Sequence, residues 1–360
     1  MRKKRFLTIC AALTGIGLVL AGAGAAMGGA VHGIRLDTGG LHVYAPKIDE
    51  ANGENHYESK EEQIEAFDSI SASVQYADLR IEPSESDSYM LSYCLYGNRR
   101  LSVKREGSRL VLEQEAYSPA GYSGVNVAWF LIGSSGEGNS RQPQEEYITL
   151  RVPKDAKLSD VELVAEEGNI ICEHVQAERI QAGAQYGDIS LSGIQAQEIL
   201  TETETGRLQM EHVQAKNCKV ENQYGDVVLD DIKLTEDIKV QTEEGNVRLQ
   251  DTQARTFVLE SDYGNIESRQ SVFENLQMSV ESGNCHIEES SFDNCDIRAE
   301  HGNVELELEK ELDEYGYELS AEYGHIKIGD QKMGETYSSL DHNSKKMIRV
   351  NCESGTIWVH

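Results

Sequence analysis

Between Val161 and Asn303, apolar and polar residues alternate with period two, and the alternation changes phase at a recurring glycine. The corner dipeptides are Gly168-Asn169, Gly187-Asp188, Gly206-Arg207, Gly225-Asp226, Gly245-Asn246, Gly264-Asn265, Gly283-Asn284 and Gly302-Asn303. Successive glycines lie 19 residues apart, with one interval of 20. Apolar residues stand seven, five and three positions before the glycine, as in Val161, Leu163 and Ala165 or Leu276, Met278 and Val280. They resume two and four positions after it, as in Ile170 and Cys172 or Val247 and Leu249. This predicts a strand on each side of the corner, each with one buried face. The phase change demands a bend, for which glycine followed by Asn or Asp is suited.

Two architectures accommodate a strand, a corner and a strand. Gly-Asn can close a hairpin, which would build a long antiparallel meander. A fixed period near twenty residues instead marks stacked repeats, the rungs of a parallel β-solenoid. A flat meander of this length would leave its apolar face uncovered, whereas a solenoid covers it with its own opposite wall. A 19-residue rung has a perimeter of about 60 Å, enough for two short facing sheets. The expected fold is therefore all-β, a parallel solenoid with rungs of about 19 residues.

The flanks divide as follows. Residues 1–31 begin with Arg2, Lys3, Lys4 and Arg5 and continue as an uncharged run through Leu7, Ile9, Leu13, Ile16 and Leu18 to Val31. Small-residue triplets such as Ala23-Gly24-Ala25 would suit signal cleavage, but the run exceeds the roughly 20 residues that span a bilayer. The reading is an uncleaved single-pass transmembrane helix, its basic N-terminus cytoplasmic and the rest of the chain extracellular. Residues 32–66 read as a polar tether, and 67–153 as an N-terminal β cap. In that cap Ala77-Asp78 takes the Gly-Asn position, and hairpins at Gly97-Asn98 and Gly107-Ser108 shield the solenoid end. An insertion, residues 116–146, carries Val125, Val127 and the Trp129–Ile132 cluster, either a partner site or one more strand on the cap. Residues 154–360 form the repeat region. Its period loosens after Gly302, with Gly324 and Gly355 the next corners.

Three features resemble a bacterial family of membrane-anchored β-strand-repeat ectodomains, often called putative adhesins. They are the basic start and apolar anchor ending in Gly28-Gly29, the stretch ITLRVPKDAKLSDVELVAEEGNI from Ile148 to Ile170, and the closing pair AEYGHIKIGDQKMG and MIRVNCESGTIWV. The resemblance covers roughly Phe67 to His360 and implies a surface-exposed, solenoid-like β ectodomain with no attached activity.

Charge narrows the partners. With 33 basic against 62 acidic side chains the net charge is −29, which disfavours nucleic acid and anionic membrane surfaces. Walker, GxSxG and HExxH motifs are absent, and the histidines, His174, His212, His286, His301 and His325 among them, do not pair at ligand spacing. Cys172, Cys218, Cys285, Cys295 and Cys352 fall on apolar ladder positions and read as core, although a vertically stacked pair could oxidise. No catalytic, cofactor or metal residue is assigned. The residue two before each glycine (Glu166, Gln185, Glu204, Gln223, Glu243, Asp262, Glu281, Glu300, Glu322) forms a polar column, read as hydrated side chains in solvent.

Two function classes follow. One is a non-catalytic surface module, an adhesin or envelope-sensing scaffold with a protein or glycan ligand. The other is a carbohydrate-active or carbohydrate-binding β-helix, which as an enzyme would need converging carboxylates. A second periodicity bears on both. Tyr76, Tyr186, Tyr224 and Tyr263 immediately precede corners, while Glu167, Thr205, Glu244 and Ser282 hold that slot in the intervening repeats. A 38-residue coil would stack the tyrosines into a continuous sugar-binding ridge, but its perimeter, about 125 Å, is too wide for such small side chains to fill. The expectation is a 19-residue rung, tyrosines separated by their neighbours, and no binding strip.

Overall fold

The computed structural model describes residues 57–96, 99–115, 145–308, 312–339 and 346–360, with the backbone of three further strands. The expected membrane anchor and the Trp129–Ile132 cluster lie outside the described residues. Among those described, no helix is long and apolar enough to cross a membrane. Two units are distinguished. In the smaller, Gly33–Asp37 pairs antiparallel with Gly40–Tyr44 and with Val125–Asn126. A stretch of the tether and a stretch of the insertion therefore share one sheet.

The larger unit is one network of 28 strands, largely parallel. Each rung pairs with the next through an offset of one repeat: Val161 faces Ile180, Ile180 faces Ile199, and Ile199 faces Cys218. The rung is thus one 19-residue repeat. The single 20-residue interval is absorbed at one bend. Ala215 faces Leu234 but Cys218 faces Ile238, which places the extra residue at Thr235–Asp237.

Each rung turns three times. Beyond the glycine corner, the residue six positions on adopts a left-handed conformation in seven successive rungs: His174, Gly193, His212, Asp231, Asp251, Gln270 and Glu289, with φ between 48° and 64°. The alternation shifts phase again at an exposed pair such as Glu178-Arg179. Buried positions in one rung are consequently Leu208, Met210, Val213, Ala215, Cys218, Val220 and Asn222. In place of the two facing sheets expected from the alternation there are three straight segments, because two of the three corners change phase without a regular glycine to mark them. Inward columns trade volume across the third bend. Where one rung has Ala254 and Phe257, another has Phe292 and Cys295, all buried, so the core stays filled.

Both ends are closed by antiparallel strands, which removes edges that would otherwise recruit other chains. At the N-terminal end Arg100–Glu106 and Arg109–Glu115 form the hairpin expected at Gly107-Ser108. The turn expected at Gly97-Asn98 lies outside the described residues, and among the described residues Tyr89–Tyr96 does not pair with Arg100–Glu106. Tyr89–Tyr96 instead pairs antiparallel with Tyr147–Pro153 and with Tyr57–Ile64. Tyr57–Ile64 belongs to the sheet, so the segment expected to be tether contributes an edge strand. At the other end the order of stacking departs from the order of sequence. Cys285–His301 pairs with Lys346–Ser354, and only then comes Tyr315–Ala321, covered by antiparallel Thr336–Ser339. The Gly355 corner therefore lies between those of Gly302 and Gly324, which explains the loosened spacing.

Candidate functional site along the glycine edge

The glycine corners stack into a column with no room for side chains. A Cβ on Gly225 would sit 2.7 Å from the Gly206 carbonyl carbon and closer still to its oxygen, and Gly245, Gly264, Gly283 and Gly302 repeat that relation to the rung before. Several of these glycines also have φ between 143° and 157°, where L side chains are strained.

Next to the glycines runs a ladder of Asn and Asp. Asn246 Nδ2 donates to Asp226 Oδ1 at 3.1 Å, Asn265 to Asn246, Asn284 to Asn265 and Asn303 to Asn284. The same Oδ1 atoms accept the backbone N–H of the following rung, for example Asn284 N–H on Asn265 at 3.0 Å. An acceptor-only aspartate begins each run where no acceptor precedes it: Asp78 at the first rung, and Asp226 after Arg207, whose side chain accepts nothing. Asp78, in the Ala77-Asp78 corner, thus holds the first position of the ladder.

The residue immediately before the corner stands clear of the edge. In stacking order these residues are Tyr76, Glu167, Tyr186, Thr205, Tyr224, Glu244, Tyr263, Ser282, His301, Ser354 and Tyr323. Tyr186 and Tyr224 are two rungs apart, as the 19-residue rung requires. The alternation also extends further than the sequence indicates, since every second residue is aromatic along the whole edge. The last two members are illegible in the sequence because the inserted Ser354 separates His301 from Tyr323. Tyr186, Tyr224, Tyr263 and Tyr323 are 54%, 46%, 56% and 74% exposed. Tyr76 alone has a cation over its ring, the Arg99 guanidinium at 4.0 Å.

Electrostatics differ between this edge and the flat faces. On the faces carboxylates pair with basic side chains across rungs, as in Arg248–Glu267 and Arg269–Glu288, both 3.0 Å. Among the described residues the column of Glu166, Glu204, Glu243, Asp262, Glu281, Glu300 and Glu322 makes no such pair. With Glu202, Glu221 and Glu260, two of these acids, Glu243 and Asp262, line a shallow depression of ≈ 380 Å³. Elsewhere the stacking brings His286 and His360 to one carboxylate, Glu305, at 3.1 and 3.3 Å. No group of three or more potential metal ligands converges among the described residues.

Behind the edge, Thr203, Asn222, Thr242 and Ser261 occupy consecutive inward positions, and Thr203 Oγ1, Asn222 Oδ1, Thr242 Oγ1 and Ser261 Oγ have no partner. The alternation leads one to expect apolar side chains throughout that column. The six described cysteines are free and buried, each in register with non-cysteine residues: Cys172 with Ile81 and Leu191, Cys218 with Ile199 and Ile238. No vertical pair is available to oxidise among them.

A family profile, described as Toastrack DUF4097, matches residues 67–239 and 199–360. The chain belongs to this family. The toastrack rungs are the 19-residue units just described, and the two matched stretches overlap in the middle of the solenoid. Solved structures similar to this family member include a "putative adhesin" from Parabacteroides merdae, with 12% identity, TM-score 0.45, and coverage of 72% of this chain and 98% of that one. A "putative lipid binding protein" from Parabacteroides distasonis has 13% identity and TM-score 0.42, covering 86% and 98%. A "putative cell adhesion protein" from Clostridium sporogenes has 11% identity and TM-score 0.23, covering 84% and 99%. No curated protein matches the chain.

Proposed function

We propose that this toastrack protein is a non-catalytic, membrane-anchored extracellular module whose solenoid presents a long edge for adhesion or envelope sensing. The observation that carries the reading is the layout of its polar chemistry. Acid-base hydrolysis of a glycosidic bond uses two carboxylates facing one bond. Here the unpaired carboxylates follow one another at rung spacing along an open edge, an arrangement that suits repeated weak contacts with an extended partner. The basic start and apolar run of residues 1–31 support an anchor with the solenoid outside the cytoplasm.

Fractionation and surface proteolysis test this reading. The protein should sediment with membranes, and protease added to intact cells should remove the solenoid. A protein that stays soluble and protease-protected in intact cells would overturn it. Release of reducing ends from polysaccharides by the purified chain, abolished by substitution of ladder carboxylates, would favour the carbohydrate-active alternative.

A further inference from the structure

The aromatic row is more than a by-product of the 38-residue superperiod. At the end of the solenoid, sequence order would place Tyr323 directly next to His301. The insertion of the Gly355 rung puts Ser354 between them, and the alternation continues. Aromatic side chains at these corners are also exposed, so packing does not account for them. With rungs about 4.8 Å apart, aromatic faces recur at roughly 9.6 Å. Between them stand small or hydrogen-bonding groups, among them Thr205, Glu244 and Ser282.

We propose that the row of Tyr186, Tyr224 and Tyr263, continued by His301 and Tyr323, binds a neutral β-1,4-linked glycan lying along the edge; this rests on the surface-module reading above. In such a glycan each pyranose ring is turned over relative to its neighbour. The same apolar face therefore recurs at every second sugar, a length comparable to two rungs. Aromatic rings on alternate rungs meet those faces, while the intervening rungs offer hydroxyl and carboxylate partners to the sugars between. A gap between tyrosines, which argues against a continuous ridge, is what a chain of alternating faces requires. Charge selects among glycans. The unpaired column of Glu204, Glu243 and Asp262 beside the row repels polyanionic chains and accepts hydrogen bonds from neutral sugar hydroxyls. Tyr76 is left outside the strip because Arg99 covers its ring.

The test uses the purified full chain and hexasaccharides of β-1,4-linked N-acetylglucosamine and glucose, with maltohexaose and a polyuronate as controls, read by calorimetry. Affinity should rise steeply from the disaccharide to the hexasaccharide and be lost for the α-linked and anionic chains. Tyr224→Ala should weaken hexasaccharide binding about tenfold or more, as truncation of a central aromatic anchor commonly does. A spacing variant separates periodicity from aromatic content. Thr205→Tyr with Tyr224→Thr keeps the composition but puts two tyrosines on adjacent rungs, and it should lose binding without a change in melting temperature. Failure of every β-1,4 hexasaccharide to bind, or binding that survives the spacing variant, would overturn the proposal. If the chain then captured another glycan or a protein independently of Tyr224, the strip would be refuted and the surface-module reading would stand. A protein found buried in the cytoplasm would refute that reading whatever the calorimetry shows.

Discussion

Three glycines in different surroundings measure what the corner column demands. Gly225 has φ 146° and a would-be Cβ 2.7 Å from the carbonyl carbon of Gly206, where nonbonded carbons prefer about 3.5–4.0 Å. Gly225→Ala must therefore push neighbouring rungs apart by on the order of 1 Å, at a point where both Gly206 N–H and Gly225 N–H donate across the stack, at 3.0 and 2.9 Å. Backbone strain of this kind costs about 1–3 kcal/mol. With one weakened inter-rung hydrogen bond, worth about 1 kcal/mol, the loss should be about 2–4 kcal/mol. Gly107 also has positive φ, +66°, but nothing lies within 4 Å of its Cβ position, so Gly107→Ala should cost only the left-handed penalty, about 1–2 kcal/mol. Gly183 lies in a strand without positive φ, and its nearest neighbour would be Glu202 O at 4.0 Å. Gly183→Ala should stabilise by roughly 0.5 kcal/mol through the unfolded state. Urea unfolding followed by circular dichroism gives the three values. Equal midpoints for Gly225→Ala and Gly107→Ala would refute close stacking of the corners.

Other substitutions probe the ladders behind the edge. Arg207→Asn should repair the break between Asp188 and Asp226 by accepting the Asp226 N–H, raising stability by about 0.5–1.5 kcal/mol in the same assay. Thr242→Val should stabilise by about 1 kcal/mol, because it removes a buried hydroxyl without a partner and Val280 already fills that column two rungs on; a loss would show that the hydroxyl is satisfied in solution. Burial pushes the Cys172 and Cys218 thiols from 9.0 up to about 12. Above pH 9 the unfolded chain therefore releases protons that the folded chain keeps, and stability should fall as pH rises from about 9 towards 12. A Cys172→Val, Cys218→Val double variant should show a shallower fall in urea midpoint between about pH 8 and 10.5, and an unchanged slope would refute the assignment.

The features legible in the sequence share one property: the residue that makes them also announces them. Glycine at the first corner, the phase flip around it, and tyrosine before it all follow from side-chain character alone. The second corner is hidden because its left-handed residue changes type from rung to rung, and Gln270 and Glu289 enter that backbone without being among the residues that favour it. His174, Gly193, His212, Asp231 and Asp251 are of the favoured types, but no single type repeats as glycine does at the first corner. The edge strand Tyr57–Ile64 is hidden for another reason. It covers an end, so neither face is deeply buried and no alternation develops. The exchange of the last two rungs cannot be read at all, since parallel pairing is indifferent to the order in which rungs leave the chain.

That indifference is what lets the edge carry information. Inward positions must only keep the core filled, and they do so by trading volume between columns, as Phe257 does with Ala254 and Cys295 with Phe292. Outward positions on the flat faces carry ion pairs, such as Arg248–Glu267 between neighbouring rungs, so each such side chain is constrained by its neighbours. The residue before the glycine has neither duty. Its corner has no side chain of its own, the Asx ladder already satisfies the adjoining backbone, and the slot projects away from the packed interior. A two-rung period can therefore be written there without disturbing the one-rung period that holds the stack together. It is maintained even where the chain doubles back through the Gly355 rung. Packing supplies no reason for that continuity, whereas a straight ligand crossing the rungs would need it.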